Sequence, residues 1–526
     1  MNSYYGILGE KNSVFYNPFV QNSITMTGQD LITTAILGME SFLRNNVLFE
    51  DTDDALTFIT NIIADKHKYN ILDYIDPKSQ DEVINYLCAH VRPEHLIDRD
   101  IINDFLSKLD SENLTRIYYS NQILEFISNS TWATKKFEEI LNNENNETLL
   151  NDLKDKIIDM TYYDHLYEDR YQRAMNHMRQ AVITIDTDSV FCNVNHHMEV
   201  VSNLLNLDMS NKPQQTLLVN IFISITTEAL KRLFWLLTTN MGIIEAAKPI
   251  INMKQEFLYS RILLTENKKN YSGLITAELG KLLQKPALDI KGLPILKKTS
   301  VPKLLRKQFV DLVKNDILST EKINLRGIVM KYDEIESSIE KSLKDGSADY
   351  LIPKNVELIE TYKIPDQQDS VRAIIAWNAL EPEKQIIPPS KINLIKLKPE
   401  LFEALSNENS INALKEFAKS NEDESTEFPK EIVKLARTHP NKLDIIAKTI
   451  YNVGVKTVSL DISRFGFAVI ALPKEVEFIP EYLLDFIDYK SMVNTNMQPS
   501  YIILSSLGIY CTTARMTKYK SNIIPI

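Results

Sequence analysis

Glycine is scarce in this 526-residue chain, with 13 residues where about 7% would be usual. None lies between Gly38 and Gly242, which excludes a glycine-rich phosphate loop or dinucleotide fingerprint from the first half. Cysteine is scarcer still. Cys88, Cys192 and Cys511 are too few and too scattered for a disulfide framework, and point to a reducing compartment. Long apolar runs are also missing. The most apolar stretch, Leu217–Leu237, is broken by Glu228, Lys231 and Arg232 and reads as a buried helix rather than a bilayer span. The opening Met1-Asn2-Ser3-Tyr4-Tyr5-Gly6 has neither the basic nor the apolar region of a leader. No membrane association and a cytoplasmic location are expected.

What is present is unevenly charged. The chain carries 59 basic and 70 acidic residues, net -11. From Glu50 to Met160 there are 23 acidic and 11 basic residues, so that segment accounts for the whole excess. From Glu266 to Lys307 the sign reverses, with ten lysines and arginines against Glu266, Glu278 and Asp289. A local basic face is what phosphate binding needs, whatever the total charge. A solvated helix face would carry the same charge run.

The pattern predicts a helical run over Ser23–Leu43, then acidic helices from about Glu50 to Arg179. A short hairpin follows, with arms Ala181–Ile185 and Val190–Val194 around Asp186-Thr187-Asp188-Ser189. Its arms are β-branched and aromatic and its centre is turn chemistry. Helix resumes to about Leu264. Strand-like pieces surround Gly273 and Gly292, Lys303–Lys344 reads as helix, and Ala348–Lys398 as short strands and loops. The end alternates helix with strand-like runs such as Thr457–Ile462 and Phe467–Leu472. The fold class expected is α+β. Trp132, Trp235 and Trp377 are expected in the core, and His196-His197 at a strand end. Cys88, His90 and His95 fit no common zinc spacing.

Two carboxylates two residues apart on a rigid hairpin can hold Mg²⁺, which takes hard oxygen ligands. Two-metal phosphoryl transfer needs carboxylates on such a fixed edge. Asp-x-Asp-Ser also occurs in ordinary turns.

Other segments bear on that choice. Asn2-Ser3-Tyr4-Tyr5-Gly6, followed by Ser23-Ile24-Thr25 and Gly28-Gln29, resembles the second half of motif B of the family B DNA polymerases. Asp186-Thr187-Asp188-Ser189 is similar to that family's motif C. Lys268-Lys269-Asn270-Tyr271 resembles its Lys-Lys-x-Tyr motif, and Leu288–Leu293 the strand after it, ending in Thr299-Ser300-Val301-Pro302-Lys303. The three motifs stand in family order. Two sites depart from the family pattern: Thr184-Ile185 precedes the first Asp, and Asn270 replaces an arginine.

The resemblance implies an antiparallel palm sheet bearing the motif C hairpin, a mainly helical thumb and a helical insertion. Segments 1–49, 50–165, 166–265 and 266–526 would be the end of the fingers and start of the palm, the acidic insertion, the palm, and the thumb with its DNA-binding region. Asp188, supported by Asp186, would be catalytic and bind Mg²⁺ in a two-metal site, with Mn²⁺ a possible substitute. Asn2, Tyr5 and Gly6 would meet the incoming deoxynucleoside triphosphate. Lys268, Lys269, Tyr271, Lys291 and Gly292 would hold primer-template DNA. Motif A and the motif B lysine are not found in the sequence, so the expectation is the C-terminal subunit of a split viral or phage DNA polymerase. A separately encoded chain would supply motif A and any exonuclease, and a sliding clamp or other replisome proteins are further candidate partners. The alternatives are a non-catalytic DNA-binding processivity or regulatory protein derived from a palm and thumb, and a helical scaffold whose acidic segment docks replication proteins.

Overall fold

The structure is a computed structural model. It describes residues 10–11, 13–44, 49–64, 72–73, 76–90, 97–120, 122–142, 147–159, 179–186, 189–250, 253–363, 365, 368–398, 408–420, 428–450, 468–513 and 516–521. The fold is α+β, as expected: helices dominate and the sheets are small and antiparallel. The chain divides into two compact units, Met1–Leu258 with Thr276–Lys285, and Tyr259–Ile275 with Pro286–Ile526.

The first unit is organised by two long helices. Helix α1 (Pro18–Arg44) is exposed over its first half, while Thr33–Glu40, Phe42 and Leu43 are all buried. It then needs partners on every side. Helices α2 (Thr52–Ala64), α3 (Gln80–Ala89), α4 (Arg99–Leu106), α5 (Ser111–Tyr118), α6 (Gln122–Asn129), α7 (Thr131–Asn142) and α8 (Glu147–Asp159) follow. Next come strands β1 (Val182–Asp186) and β2 (Ser189–Cys192), then α9 (Asn195–Leu204) and α10 (Lys212–Asn240).

Helix α10 contains the apolar run read from the sequence, and its inner face buries Leu218, Phe222, Ile225, Leu230, Leu233 and Phe234. Asn211 caps its start by accepting the Gln214 N–H at 3.3 Å. Its end closes through Gly242 at φ 71, with the Gly242 and Ile243 N–H groups returning to the Thr239 and Thr238 carbonyls at 3.0 and 2.9 Å. The charges that interrupt the run face outward, Lys231 pairing with Glu228 at 3.4 Å and Arg232 with Asp155 at 3.2 Å. Helix α1 approaches α10 closely at Gly38. A Cβ there would lie 2.3 Å from Leu233 Cδ1, so only glycine fits without displacing that side chain.

The acidic region divides its apolar residues between two cores. Helices α2–α5 build their own, around Phe49, Ile59, Val83, Leu87, Ile102 and Ile117. Helices α6–α8 instead contribute Leu124, Ile127, Phe137, Ile140, Leu153 and Ile157 to the core of α1, the hairpin and α10.

Strands β3 (Phe257–Leu264), β4 (Tyr271–Glu278) and β5 (Lys281–Lys291) form one antiparallel sheet, and the second unit continues from it. The β4–β5 connection is two residues, Leu279 and Gly280, both at positive φ (47 and 76), the signature of a type I′ hairpin. A short α11 (Pro294–Lys297) leads to α12 (Lys303–Leu312), which runs on as a π-helical turn over Val313–Leu318 before α13 (Leu325–Lys344). The helix read over Lys303–Lys344 is therefore two helices, broken at Ser319–Asn324, where Asn324 caps the second by accepting the Gly327 N–H. A second sheet orders β6 (Ile352–Val356), β7 (Ser390–Leu397) and β8 (Ala468–Pro473) antiparallel.

Between β6 and β7 lies α14 (Asp369–Leu380), a correction to the reading of Ala348–Lys398 as strands and loops. It buries Val371, Ala373, Ile374, Ala376, Trp377 and Leu380, so too little polar sequence remains for a clear helical period. Helices α15 (Glu408–Lys419), α16 (Lys430–Thr438), α17 (Pro440–Ile450), α18 (Glu481–Leu484), α19 (Tyr489–Met497) and α20 (Tyr501–Ser506) and the hairpin β9 (Ile509–Thr513) and β10 (Met516–Ser521) complete the unit. The strand read at Phe467–Leu472 is β8; the one at Thr457–Ile462 lies outside the described residues.

Of the tryptophans only Trp377 is core, its indole N–H donating to the Lys384 carbonyl at 2.7 Å. Trp132 and Trp235 are 39% and 45% exposed. Trp235 keeps its ring under the Lys248 ammonium at 4.5 Å, an arrangement suited to a ring partly in water.

Because α6–α8 share the hairpin's core, two excisions should separate. Removing Thr52–Tyr118 should leave a soluble, cooperatively melting protein. Removing Thr52–Asp159 takes Phe137 and Ile157 with it and should give an aggregated product. Equal solubility of both products in a sedimentation assay would contradict this division.

Candidate functional site

The carboxylate hairpin forms where the sequence places it. Strands β1 and β2 pair Ile185 with Val190 and Asp186 with Ser189, with an irregularity between Val182 and Thr184. Thr187 and Asp188 stand between the last paired residues in sequence. Asp188, and with it Asn2, Tyr5 and Gly6, lies outside the described residues, as does the Asp186 side chain.

What fixes β1 is a residue that sequence reasoning missed. Glu40, on the buried half of α1, is 0% exposed. Its carboxylate accepts backbone N–H groups from Gln180 at 2.9 Å, Ala181 at 2.9 Å and Val182 at 2.6 Å. A carboxylate removed from water is tolerated only if its lone pairs are satisfied. Here three successive amides entering β1 satisfy them. The signal was available, since Glu40 is the lone charge in the apolar run Ala35–Leu43.

Beside this anchor lies a layer of aromatic and cationic groups. Burial lowers the pKa of the Arg44 guanidinium, opposed by Tyr119, Tyr118 and Glu40. The Lys78 ammonium lies over the rings of Tyr118 and Tyr119 at 5.1 and 5.6 Å. His196 and His197, read as strand-end residues, instead open helix α9, because the turn at Asn193-Val194 redirects the chain directly after β2. The His196 ring stacks on Tyr119 with centroids 4.8 Å apart. Burial, with Arg44 and Lys78 nearby, pushes the His196 pKa down to about 3. His197 is pushed down well below the usual range by burial and by His196. His90 is buried, with Nδ1 on the Tyr86 carbonyl and Nε2 3.5 Å from the Gln180 side chain.

The second candidate surface is the β3–β4 loop with the end of β5. The loop closes as the Thr265 N–H and hydroxyl both donate to the Asn270 carbonyl, at 3.2 and 3.0 Å. Lys269 takes φ 64, so the loop turns sharply there. Gly292, at φ 69, has no room for a side chain: a Cβ would sit 1.8 Å from Asn270 Oδ1 and 2.6 Å from the Lys269 carbonyl. The structure thus brings Lys269, Asn270 and Gly292 into contact, with Lys268 and Lys291 exposed alongside. Lys291 Nζ is 5.9 Å from the Tyr271 ring. Beneath them Tyr259 donates to Asp289 at 2.8 Å, and its ring covers Gly273, where a Cβ would lie 2.4 Å from Tyr259 Cδ1. Burial and Asp289 raise the phenol pKa of Tyr259, so it stays a donor. Tyr259 and Asp289 hold the surface together and were not singled out from sequence; Asn270, marked there only as a lost cation, joins them.

Two measurements probe the hairpin's support. Glu40→Gln puts an amide NH₂ among backbone donors and should cost about 2 kcal/mol or more; an unchanged urea midpoint would remove the anchor role. His196 is depressed on folding, so its contribution is complete above the unfolded pKa near 6.5 and is lost as pH falls toward 3. Stability should fall by about 1 kcal/mol per pH unit from this residue between pH 6 and pH 4. His196→Gln should flatten that slope in thermal melts, and an unaltered slope would contradict the assignment.

Among described residues no helix is long and apolar enough to cross a membrane. A comparison with curated proteins finds no match. The model of the divergent Family B DNA polymerases matches residues 102–464, which include the hairpin, the Lys268–Gly292 surface and helices α5–α8. That span is well over half the sequence, and the chain belongs to the divergent Family B DNA polymerase family.

Proposed function

We propose that this chain carries out template-directed nucleotidyl transfer in DNA replication, as the C-terminal subunit of a split polymerase. The observation that carries the reading is the β1–β2 hairpin, which pairs Asp186 with Ser189 at its tip and is held at its base by the buried Glu40 carboxylate. Such a support suits a metal site, whose ligands must be held in fixed geometry. The donor set, two carboxylates two residues apart, fits a hard divalent cation. Magnesium bound by Asp186 and Asp188 would supply charge neutralisation at the transferring phosphate. The chain's own residues position the substrates. Lys268, Lys269 and Lys291 would meet backbone phosphates, and Tyr271, 7% exposed, would support them from beneath. Asn2, Tyr5 and Gly6 would face the incoming triphosphate.

A second polypeptide carrying motif A would complete the site, and the exposed start of α1 supports this. On α1, Phe19 and Met26 are 83% and 66% exposed with Val20 and Ile24 exposed beside them, and Val14 and Phe15, 94% and 56% exposed, directly precede the helix. Scattered apolar residues need no explanation, but a run of them along one helix marks an interaction surface. A sliding clamp or other replisome proteins would join the assembly.

The test is primer extension with Mg²⁺ after co-expression with the polypeptide carrying motif A. The chain alone should not extend a primer, and the complex should. Asp188→Ala should lower incorporation by about three orders of magnitude or more while primer-template affinity holds. Normal extension by the variant would refute the catalytic reading. A complex that binds primer-template but never extends it would favour the processivity-factor alternative.

A further inference from the structure

The second unit contains an open cleft of about 840 Å³, lined by the start of α12, one end of the β6–β7–β8 sheet and the loop after β8. Its cations are Lys303, Arg306, Lys354, Lys391 and Lys474. Some lysines elsewhere in this unit pair with carboxylates, as Lys331 does with Asp316 at 2.7 Å and Lys398 with Glu431 at 3.2 Å. Among the described residues, none of the five cleft cations is found in an ion pair. Three carboxylates share the lining, Asp349, Glu475 and Glu477, so the cleft is net positive in a chain that is net negative.

The start of α12 adds to this field. Pro302 stands at the N-cap and gives no side-chain hydrogen bond, and the first turn has no acidic residue. Lys303 and Arg306 therefore sit at the positive end of the helix dipole, where cations are unfavourable. An anion in the cleft would relieve that arrangement and accept the unpaired N–H groups.

At the cleft edge Phe478 is 70% exposed. It is not on a loose loop. The Ala348 N–H donates to the Glu477 carbonyl at 2.9 Å and the Ile479 N–H to the Gly346 carbonyl at 2.7 Å, fixing the backbone on either side. An exposed aromatic ring on a fixed backbone beside a basic groove is the combination that binds single strands. Phosphates follow the cations and an unpaired base stacks on the ring. A paired base has no free face to offer, and an acidic peptide has no use for the ring.

We propose that this cleft binds a short single-stranded segment of nucleic acid, distinct from the primer-template surface at Lys268–Gly292. The proposal goes beyond the polymerase reading and is separable from it. Its variants touch neither Asp186 and Asp188 nor the Lys268–Lys269 loop, and its readout is binding.

The experiment measures fluorescein-labelled oligo(dT) binding to the full chain over a salt series. Replacing Lys354, Lys391 and Lys474 together by alanine should flatten the log–log salt slope by about 2 units, at about 0.7 per lysine. Phe478→Ala should weaken binding about fivefold or more. Glu475→Gln with Glu477→Gln should tighten it, a gain that misfolding cannot produce. Affinity for a blunt duplex of the same length should change little in all three. An unchanged slope, an unchanged affinity for Phe478→Ala, an equal loss of duplex binding, or equal competition by polyglutamate would each overturn the proposal.

Discussion

Everything in the first unit that bears on the carboxylate hairpin depends on one buried charge. The Glu40 carboxylate lies inside the protein and is kept there by the backbone N–H groups of Gln180, Ala181 and Val182. Buried carboxylates are costly unless fully hydrogen-bonded, so the position of α1 and the path of the chain into β1 are set together. Gly38 settles the other side of the same helix, bringing α1 against Leu233 of α10. With a hairpin on one flank and a long helix on the other, α1 is buried nearly all round over this stretch, and its one charge, Glu40, is the one that is hydrogen-bonded to backbone amides. The hairpin itself is two short strands, too few to hold their geometry unaided. Its rigidity comes from α1.

This explains which parts of the structure were legible in the sequence. The hairpin was, because β-branched arms and an Asp-Thr-Asp-Ser centre are local signals. The burial of α10 was legible too, from an apolar run with its charges grouped at Glu228, Lys231 and Arg232. The residues that hold these elements in place were not. Glu40 acts on amides about 140 positions away, and Asn270 on a glycine 22 positions away. Neither relation leaves a periodicity to read. Helix α14 was missed for the opposite reason, since burial on nearly all sides erases the contrast that marks a helix. Trp132 and Trp235 were misplaced because a large ring was read as core, although indoles often sit half in water.

The family assignment and the geometry meet at the β3–β4 loop. Asn270 departs from the Lys-Lys-Arg-Tyr form, and a lost cation alone would read as weakened phosphate binding. Its side chain, however, occupies the space above Gly292, and the loop carbonyl at Lys269 fills what remains. A longer arginine at 270 would have to leave that space. Here Asn270 trades one charge for a loop packed against the end of β5, with Lys268, Lys269 and Lys291 still presented to solvent. The surface is a rigid cationic edge braced by Tyr259 and Asp289, not a set of independent lysines.

The acidic region then has a local explanation as well as a global one. Much of its charge sits at helix starts. Ser79 and Glu82 form a reciprocal capping box, and the Ser79 hydrogen bonds with Lys78 hold the Glu82 pKa at about 2. Asp98 caps α4 by accepting from Asp100 and Ile101, and Asp110 caps α5 by accepting from Asn113. Asp51 receives the Asp54 N–H at the head of α2 at 2.8 Å. Short helices expose a large share of unpaired N–H groups, and negative side chains at N-termini satisfy them and complement the dipole. A region built from many short helices therefore becomes acidic without any partner demanding it. The net charge of -11 is partly a by-product of how this segment folds.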